Sequence, residues 1–201
     1  MSKAADGRLA RGEARRELLL DAAVRVVGEQ GAGALTHRAV AAGAAVSLAS
    51  VTYHYPSIDD LRRATFEHAG SRIGLEFRAL VTRTAARPDA LPALCGDFTA
   101  HLVTDRRTDA VAVFEMIIAT GHDPDLGPVK GLLDRRLARL LEPYVGSQAA
   151  ALTVTAALQG LVLTALTPDP ARDPQWLRAA VTDLVRRYRA TTPRPGDSPW
   201  T

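Results

Sequence analysis

The chain is poor in cysteine and in aromatic side chains: it has one cysteine in 201 residues, and aromatic residues make up 5% of it. A single cysteine, Cys95, excludes an intrachain disulfide and a cysteine-based metal cluster. Its sequence neighbours Leu91, Leu94 and Phe98 are apolar, so we expect a buried thiol. The N-terminus lacks an apolar run before Leu18. This gives no indication of a signal peptide and predicts a cytoplasmic protein.

A large charge imbalance is also lacking, because the formal net charge is +3 and the pI is about 9.4. Such a balance permits a nucleic-acid partner without demanding one. The distribution is more informative, since residues 1–16 hold five basic and two acidic side chains, a local net charge of +3. A basic N-terminal arm that runs into a helix is a common way to hold phosphates. On charge alone, a solubilising tail is an equal alternative.

Residues 143–168 have no charged side chain, which raises the question of a membrane span. Gln159, threonines and glycines interrupt this segment, and no basic cluster flanks it. We therefore expect a helix buried inside a bundle, and no membrane partner.

Apolar residues recur at helical spacing along most of the chain. Clear stripes lie within residues 18–27, 90–102, 111–118, 126–141 and 176–188. Asp123-Pro124 and Asp173-Pro174 are each typical of an N-cap followed by proline at the first helical position. No convincing strand pair or internal repeat is present. The sequence therefore predicts an all-α protein.

Three possible N-caps follow one another at short intervals. Thr36 is followed by Ser47 eleven residues later and by Ser57 after a further ten. We predict that Asp60 completes a capping box with Ser57. The spacing leaves room for a two-turn helix, a four-residue turn, a second short helix and a long one. This is the spacing of a helix-turn-helix.

The second short helix, residues 48–55, cannot be stable alone and must be held by its neighbours. We expect Val46, Val51 and Tyr55 to form its inner face. The outward face then presents a set of small, hydroxyl and imidazole side chains: Ala49, Ser50, Tyr53 and His54. A helix built in this way can lie in the major groove with its N-terminal residues at base edges and its far end at phosphates. The alternative is that Tyr53 and His54 only cover the following helix.

The segments "LTHRAVAAGAAVS" and "LASVTYHYPSIDDL", after an amphipathic helix that ends in glycine, resemble the DNA-binding domain of TetR-type transcriptional regulators over residues 13–69. The resemblance implies an N-terminal three-helix helix-turn-helix DNA-binding domain and a C-terminal helical ligand-binding and dimerisation domain. We place the arm and helix-turn-helix at 1–56, the second domain at 57–191 and a loose tail at 192–201. The implied DNA-contacting residues are Thr36, Arg38, Ser47, Leu48, Ala49, Ser50, Tyr53 and His54.

Three positions depart from the family pattern. Ala45 replaces the usual turn glycine, and it fits without strain if its φ stays negative. Thr52 replaces the recognition-helix tyrosine, so that Tyr53 could supply a contact from the adjacent position. Ile58 replaces the lysine that opens the next helix, which removes a phosphate cation.

In the family the middle helices enclose a small-molecule pocket, and the last two helices usually form a dimer interface. The ligand-binding candidates here are Phe98, His101, Phe114, Glu115 and Ile118. Glu115 lies within an apolar run, so it either has an arginine partner or lines the cavity, and the ion pair is favoured. His101 either faces a pocket or is satisfied near the surface.

The predicted function is a ligand-responsive transcriptional regulator, a repressor released from double-stranded operator DNA by a small molecule. We predict a homodimer through helices near 147–166 and 173–190, with no cofactor and no metal. One alternative is an all-α enzyme acting on a small apolar molecule, although no histidine pair has metal-ligand spacing. A second alternative is a dimeric interaction module that has lost DNA binding.

Overall fold

The computed structural model describes residues 3–84, 86–169, 173 and 175–189. The described part of the chain is helical and contains no strand, which confirms the predicted all-α class. The predicted loose tail, 192–201, and Pro174 lie outside the described residues. The helices are α1 (Lys3–Gln30), α2 (His37–Gly43), α3 (Leu48–His54), α4 (Ile58–Thr84), α5 (Leu91–Val103), α6 (Arg107–Ala119), α7 (Gly127–Val145), α8 (Gln148–Leu166) and α9 (Trp176–Arg187). Short 3-10 turns cover Ala32–Ala34, Pro88–Ala90 and Pro124–Leu126.

Helix α1 includes the segment that the sequence indicated as a basic arm, because its backbone is helical from Lys3 onward. The helix ends before Gly31, whose φ is 86°. This left-handed conformation costs glycine little. The basic N-terminal residues therefore continue α1 rather than forming a separate extended arm.

The three predicted caps are present. Thr36 Oγ1 accepts the N–H of Ala39 at 3.1 Å, and Ser47 Oγ accepts the N–H of Ser50 at 3.2 Å. Ser57 Oγ accepts the N–H of Asp60 at 3.0 Å and donates its own hydrogen to the Asp60 carboxylate at 2.7 Å. A capping box would instead place the carboxylate on the backbone N–H of Ser57. The third cap therefore closes through the hydroxyl alone.

Asp123 and Asp173 each accept a backbone N–H from the residue two positions ahead. Asp123 accepts the N–H of Asp125 at 3.2 Å, with Pro124 at the first position of the turn, as expected. Asp173 accepts the N–H of Gln175 at 2.8 Å. Gln175 occupies the N-cap of α9, so Asp173 lies further from the start of α9 than the sequence indicated.

The turn between α2 and α3 has Ala45 at φ 52°, which fails the condition for strain-free alanine. The N–H of Val46 donates to the carbonyl of Ala41 at 3.0 Å, and the N–H of Ala45 donates to that of Ala42 at 3.2 Å. This pair of bonds is the Schellman motif, whose left-handed position usually holds glycine. The turn needs the conformation that the family's glycine provides, and alanine adopts it at a cost.

Replacing Ala45 by glycine should raise the free energy of unfolding by about 1 kcal/mol, because the left-handed region penalises a Cβ by roughly 1–2 kcal/mol and glycine loses part of this gain as entropy. Thermal or urea unfolding measures the change. The matched control is Ala42→Gly, an exposed position inside α2, which should be destabilising. Equal effects of the two substitutions would contradict the strain at Ala45.

The chain divides into two compact units, Met1–Phe77 with His101–Leu133, and Arg78–Ala100 with Asp134–Thr201. The first unit has a continuous apolar core that joins α1, the helix-turn-helix and α6, with Phe66, Leu61 and Met116 fully buried. This core supports the short helices α2 and α3 from behind. The grouping differs from the predicted division at residue 56, which stays a prediction.

The second unit buries one face each of α8 and α9. Cys95 lies within it, and burial raises the pKa of its thiol to about 12, as expected for an unreactive buried cysteine. Arg178 on α9 pairs with Asp97 on α5. Among the described helices, α8 alone is long and apolar enough to cross a bilayer, with a mean hydropathy of 1.8 and 33% of the window buried. A core helix of a globular protein passes the same test.

A chain of ion pairs connects three helices of the first unit. Asp21 on α1 lies 2.6 Å from Arg72 and 2.9 Å from His68, both on α4. Arg72 also approaches the buried Asp109 of α6 at 3.7 Å. Arg106 Nε lies 3.2 Å from the Asp109 carboxylate but is not aligned for a hydrogen bond. Arg106 Nη2 lies 3.0 Å from the Glu76 carboxylate. Three carboxylates and two guanidinium groups thus alternate across α1, α4 and α6.

Candidate nucleic-acid interface

The recognition helix α3 has two different faces. Val51 is fully buried and Tyr55 nearly so, while Val46 is partly buried against the same core. On the opposite side Tyr53 is 81% exposed, and Leu48, the first residue of the helix, is 41% exposed. An apolar side chain such as Leu48 gains nothing from this exposure within one subunit. The inner face predicted from the sequence therefore matches the described burial.

The predicted DNA-contacting side chains at α2 and α3 all have some solvent exposure. Thr36, Arg38, Ser47 and Ala49 are exposed, and Ser50 and His54 are half-buried. The rings of Tyr53 and His54 meet edge to face, with centroids 5.1 Å apart. Their roles in DNA binding stay predictions.

Positive charge surrounds the C-terminal end of α3. Burial lowers the pKa of His54, and the charges of Arg16 and Arg15 on α1 lower it further. Burial raises the pKa of Tyr55, and Arg16 opposes this rise. The exposed arginines of α1 and the imidazole of His54 therefore share one electrostatic environment. Such a cluster can receive an anion.

Two of the departures from the family pattern have structural explanations. The hydroxyl of Thr52 lies 3.3 Å from the carbonyls of both Leu48 and Ala49, so it bonds within its own helix. Ile58 is partly buried and packs against the core of the first unit. Position 58 thus contributes apolar packing where the family's lysine would provide a cation.

His37, the first residue of α2, makes a contact that the sequence patterns do not indicate. Its Nε2 lies 2.7 Å from the carbonyl oxygen of Tyr55. The signal that could have indicated this bond is Pro56, because a residue before proline is disfavoured in a helix and its carbonyl needs another donor.

The ligand-binding candidates are divided between the two units. Phe98 belongs to the second unit, whereas His101, Phe114, Glu115 and Ile118 belong to the first. Phe114 is buried and Ile118 is 59% exposed. His101 is exposed and its Nδ1 lies 2.9 Å from Asp105, four residues further along the chain. A surface groove of 390 Å³ lies elsewhere in the first unit, lined by Arg63, Glu67, Asp125, Pro128, Val129 and Leu132.

Glu115 does not have the arginine partner that the sequence favoured. Its carboxylate accepts the backbone N–H of Ala32 at 3.1 Å, at the start of the 3-10 turn that precedes α2. The described residues place no basic side chain within ion-pair distance of it. Backbone donors at the start of a helical turn stabilise a carboxylate as a cation does. The expected ion pair is wrong because the partner of Glu115 lies 83 residues away in sequence, and helical periodicity does not reveal such a contact.

Two family models match the chain in tandem. Residues 19–65 match the bacterial regulatory proteins of the tetR family, and residues 86–190 match the tetracyclin repressor-like C-terminal domain. The chain belongs to the TetR family. The first match covers the helix-turn-helix of α2 and α3, so the chain is a TetR-type transcriptional regulator with a helix-turn-helix DNA-binding domain. No curated protein matches the sequence.

Several solved structures have a similar fold. The transcriptional regulator SCO7518 from Streptomyces coelicolor A3(2) is 27% identical, with a TM-score of 0.73 over 88% of this chain and 99% of its own. The TetR-family protein SCO1917 from Streptomyces coelicolor A3 is 31% identical, with a TM-score of 0.67 over 85% and 97%. The multidrug binding protein EbrR, complexed with ethidium, is 30% identical, with a TM-score of 0.66 over 85% and 98%.

Proposed function

We propose that this TetR-family regulator is a cytoplasmic repressor that binds operator DNA as a homodimer and is released from it by a small molecule. The observation that carries the proposal is the recognition helix α3, whose inner face is buried against the core while Tyr53 and Leu48 stay exposed. A short helix held from behind with small residues in front can enter the major groove.

In the proposed DNA-contacting surface, some residues contact phosphates and others contact base edges. Thr36 contacts phosphate at the start of α2, and Arg38 reaches a phosphate or a base edge. The residues at the start of α3 lie near base edges, where small side chains permit close approach: Ser47, Leu48, Ala49 and Ser50. Tyr53 and His54 contact phosphates at the far end, next to Arg15 and Arg16. Phosphate contacts position the protein, and base contacts carry sequence specificity.

Replacing His54 by alanine should weaken DNA binding on every sequence and change the stability by within ~0.5 kcal/mol, as surface substitutions do. Replacing Val51 by alanine should act through the fold and cost about 2 kcal/mol, because it leaves a cavity behind α3. Thermal melting and titration with DNA distinguish the two. If His54→Ala melts early and keeps its DNA affinity, His54 is a packing residue and the proposed surface is wrong.

The proposed dimer uses the exposed face of α8. Leu152 and Leu163 are each exposed by about two-fifths, and they lie on one side of the helix with Ala156 and Gly160 between them. The whole of α8 lacks charge. An uncharged apolar face of this kind is typical of an interface between subunits.

Replacing Leu163 by glutamate should convert the dimer to a folded monomer at micromolar concentration, because the interface would have to bury an unpaired charge. Sedimentation measures the mass, and circular dichroism checks the fold. The matched control is Leu75→Glu on α4, where another exposed leucine receives the same charge. A wild-type protein that sediments as a monomer would contradict the dimer itself.

The proposed effector is a small apolar or amphipathic molecule. EbrR, a relative of similar fold, has been solved in complex with ethidium, a planar aromatic cation. Aromatic side chains can stack on such a ligand, and a carboxylate can balance its charge. Ethidium added to the protein without DNA should raise its melting temperature more than the neutral parent phenanthridine does.

The two alternatives differ from this proposal in what they predict. An enzyme would turn over a small molecule and would not retain DNA at low salt. An interaction module would form the dimer and bind no DNA. The basic surface near α3 supports the regulator over both.

A further inference from the structure

The position of α3 depends on contacts outside the helix, because seven residues cannot form a stable helix alone. Ser47 caps its start. Its end is set by Tyr55, whose φ of −135° and ψ of 87° are no longer helical, and by Pro56. Proline disfavours a helical conformation at the preceding residue, so the chain must leave the helix at Tyr55.

The carbonyl of Tyr55 needs a donor from elsewhere, because the last carbonyls of a helix have no partner within it. His37 supplies this donor, with its Nε2 2.7 Å from the oxygen. A carbonyl only accepts, so Nε2 must have a hydrogen. His37 is the first residue of α2. The bond therefore connects the start of α2 to the end of α3.

The apolar contacts behind α3 do not by themselves fix its orientation. Burial of Val51 and Tyr55 holds the helix against the core, but the hydrophobic effect has no directional preference. A hydrogen bond between an imidazole and a carbonyl is directional. Base recognition needs side chains held to within about 0.5 Å and 10–20°. A directional contact at the end of the helix therefore affects how well α3 recognises bases.

We propose that His37 is a positioning residue for sequence-specific DNA recognition, which sets the orientation of α3 through its bond to the Tyr55 carbonyl and does not itself contact DNA. The inference rests on the proposed contact between α3 and the major groove. Loss of the bond lets α3 tilt about its buried side. Base contacts at its start are then lost, while phosphate contacts from mobile charged side chains adjust.

The test uses the full-length protein and two DNA duplexes of equal length: one selected from a random-sequence library by the wild-type protein, and one of scrambled sequence. His37→Leu should bind the selected duplex about tenfold more weakly, a factor equivalent to ~1.4 kcal/mol, and the scrambled duplex nearly as the wild type does. His37→Gln should restore most of the loss, since the glutamine amide nitrogen is as many bonds from Cβ as Nε2. The control is His122→Leu, at an exposed histidine of the same unit.

All titrations are performed well below each variant's melting temperature, so that unfolding does not lower the active fraction. The inference is overturned if His37→Leu binds the selected duplex as the wild type does, or if His37→Gln fails to restore binding. An equal loss on both duplexes with a smaller salt slope would also overturn it, because His37 would then be a phosphate contact. A wild-type protein that selects no duplex would instead refute the proposed DNA-binding function, and this inference with it.

Discussion

Replacing Asp109 by asparagine should lower the free energy of unfolding by about 3 kcal/mol, near the lower end of the cost of breaking a buried ion pair. Asp109 is 9% exposed and lies between two guanidinium groups, those of Arg72 and Arg106. Asparagine keeps the shape but removes the charge, so the two arginines face each other across α4 and α6. The loss stays near the lower limit because Asp21 and Glu76 still pair with them.

Chemical unfolding of the wild type and variant measures this change. The matched control is Asp105→Asn, an exposed aspartate four residues earlier that pairs with His101. Its substitution should leave the unfolding midpoint nearly unchanged, because exposed pairs contribute little. If the two variants unfold alike, the network is a surface feature without a role in holding α6 to α1 and α4.

DNA binding should be strongly salt-dependent, with a loss of roughly 10³–10⁵ in affinity between 50 mM and 200 mM salt if six to ten phosphates are contacted. Replacing both Arg15 and Arg16 by alanine removes up to four phosphate contacts from a dimer. The slope of log affinity against log salt should then fall by about 3–4. The loss should be similar on the selected and scrambled duplexes, since phosphate contacts have no sequence information.

The control for this measurement is the pair Arg186→Ala and Arg187→Ala at the end of α9. It removes the same charge from the second unit. It should change neither the affinity nor the slope. An unchanged slope for the α1 variant would show that Arg15 and Arg16 do not approach the DNA.

The cluster of Arg15, Arg16 and His54 should make DNA binding pH-dependent. Burial and the two arginines lower the pKa of His54 in the free protein, which favours the neutral imidazole. A phosphate placed beside it favours the cation and raises the pKa, so the complex takes up a proton. Affinity should therefore increase as pH falls through the pKa of the complex, and level off below that of the free protein. His54→Ala should remove this dependence.

Much of the helix-turn-helix could be predicted because its signals act over three or four residues. Thr36, Ser47 and Ser57 each cap a helix through a backbone N–H three residues ahead. The inner face of α3 follows from a helical period that Val51 and Tyr55 share. These contacts join residues within about one helical turn, so they can be predicted from the sequence.

The turn at Ala45 was predictable only in part. The pattern identified the position and the residue that it lacks, but the sign of φ depends on how α3 must meet α2. The core behind both helices imposes that angle, and alanine follows it into the left-handed region.

The sequence by itself determined the all-α class, the positions of the helices, the caps and the two-sided recognition helix, because each depends on neighbours within one or two turns. The tertiary structure decided the partners of isolated polar groups. His37 meets the Tyr55 carbonyl 18 residues away, Arg72 meets Asp21 across 51 residues, and Glu115 meets the Ala32 amide across 83. Buried polar groups must find a partner, but helical periodicity gives only the face on which each lies. The packing of α6 and α4 against α1 selects which group each one meets.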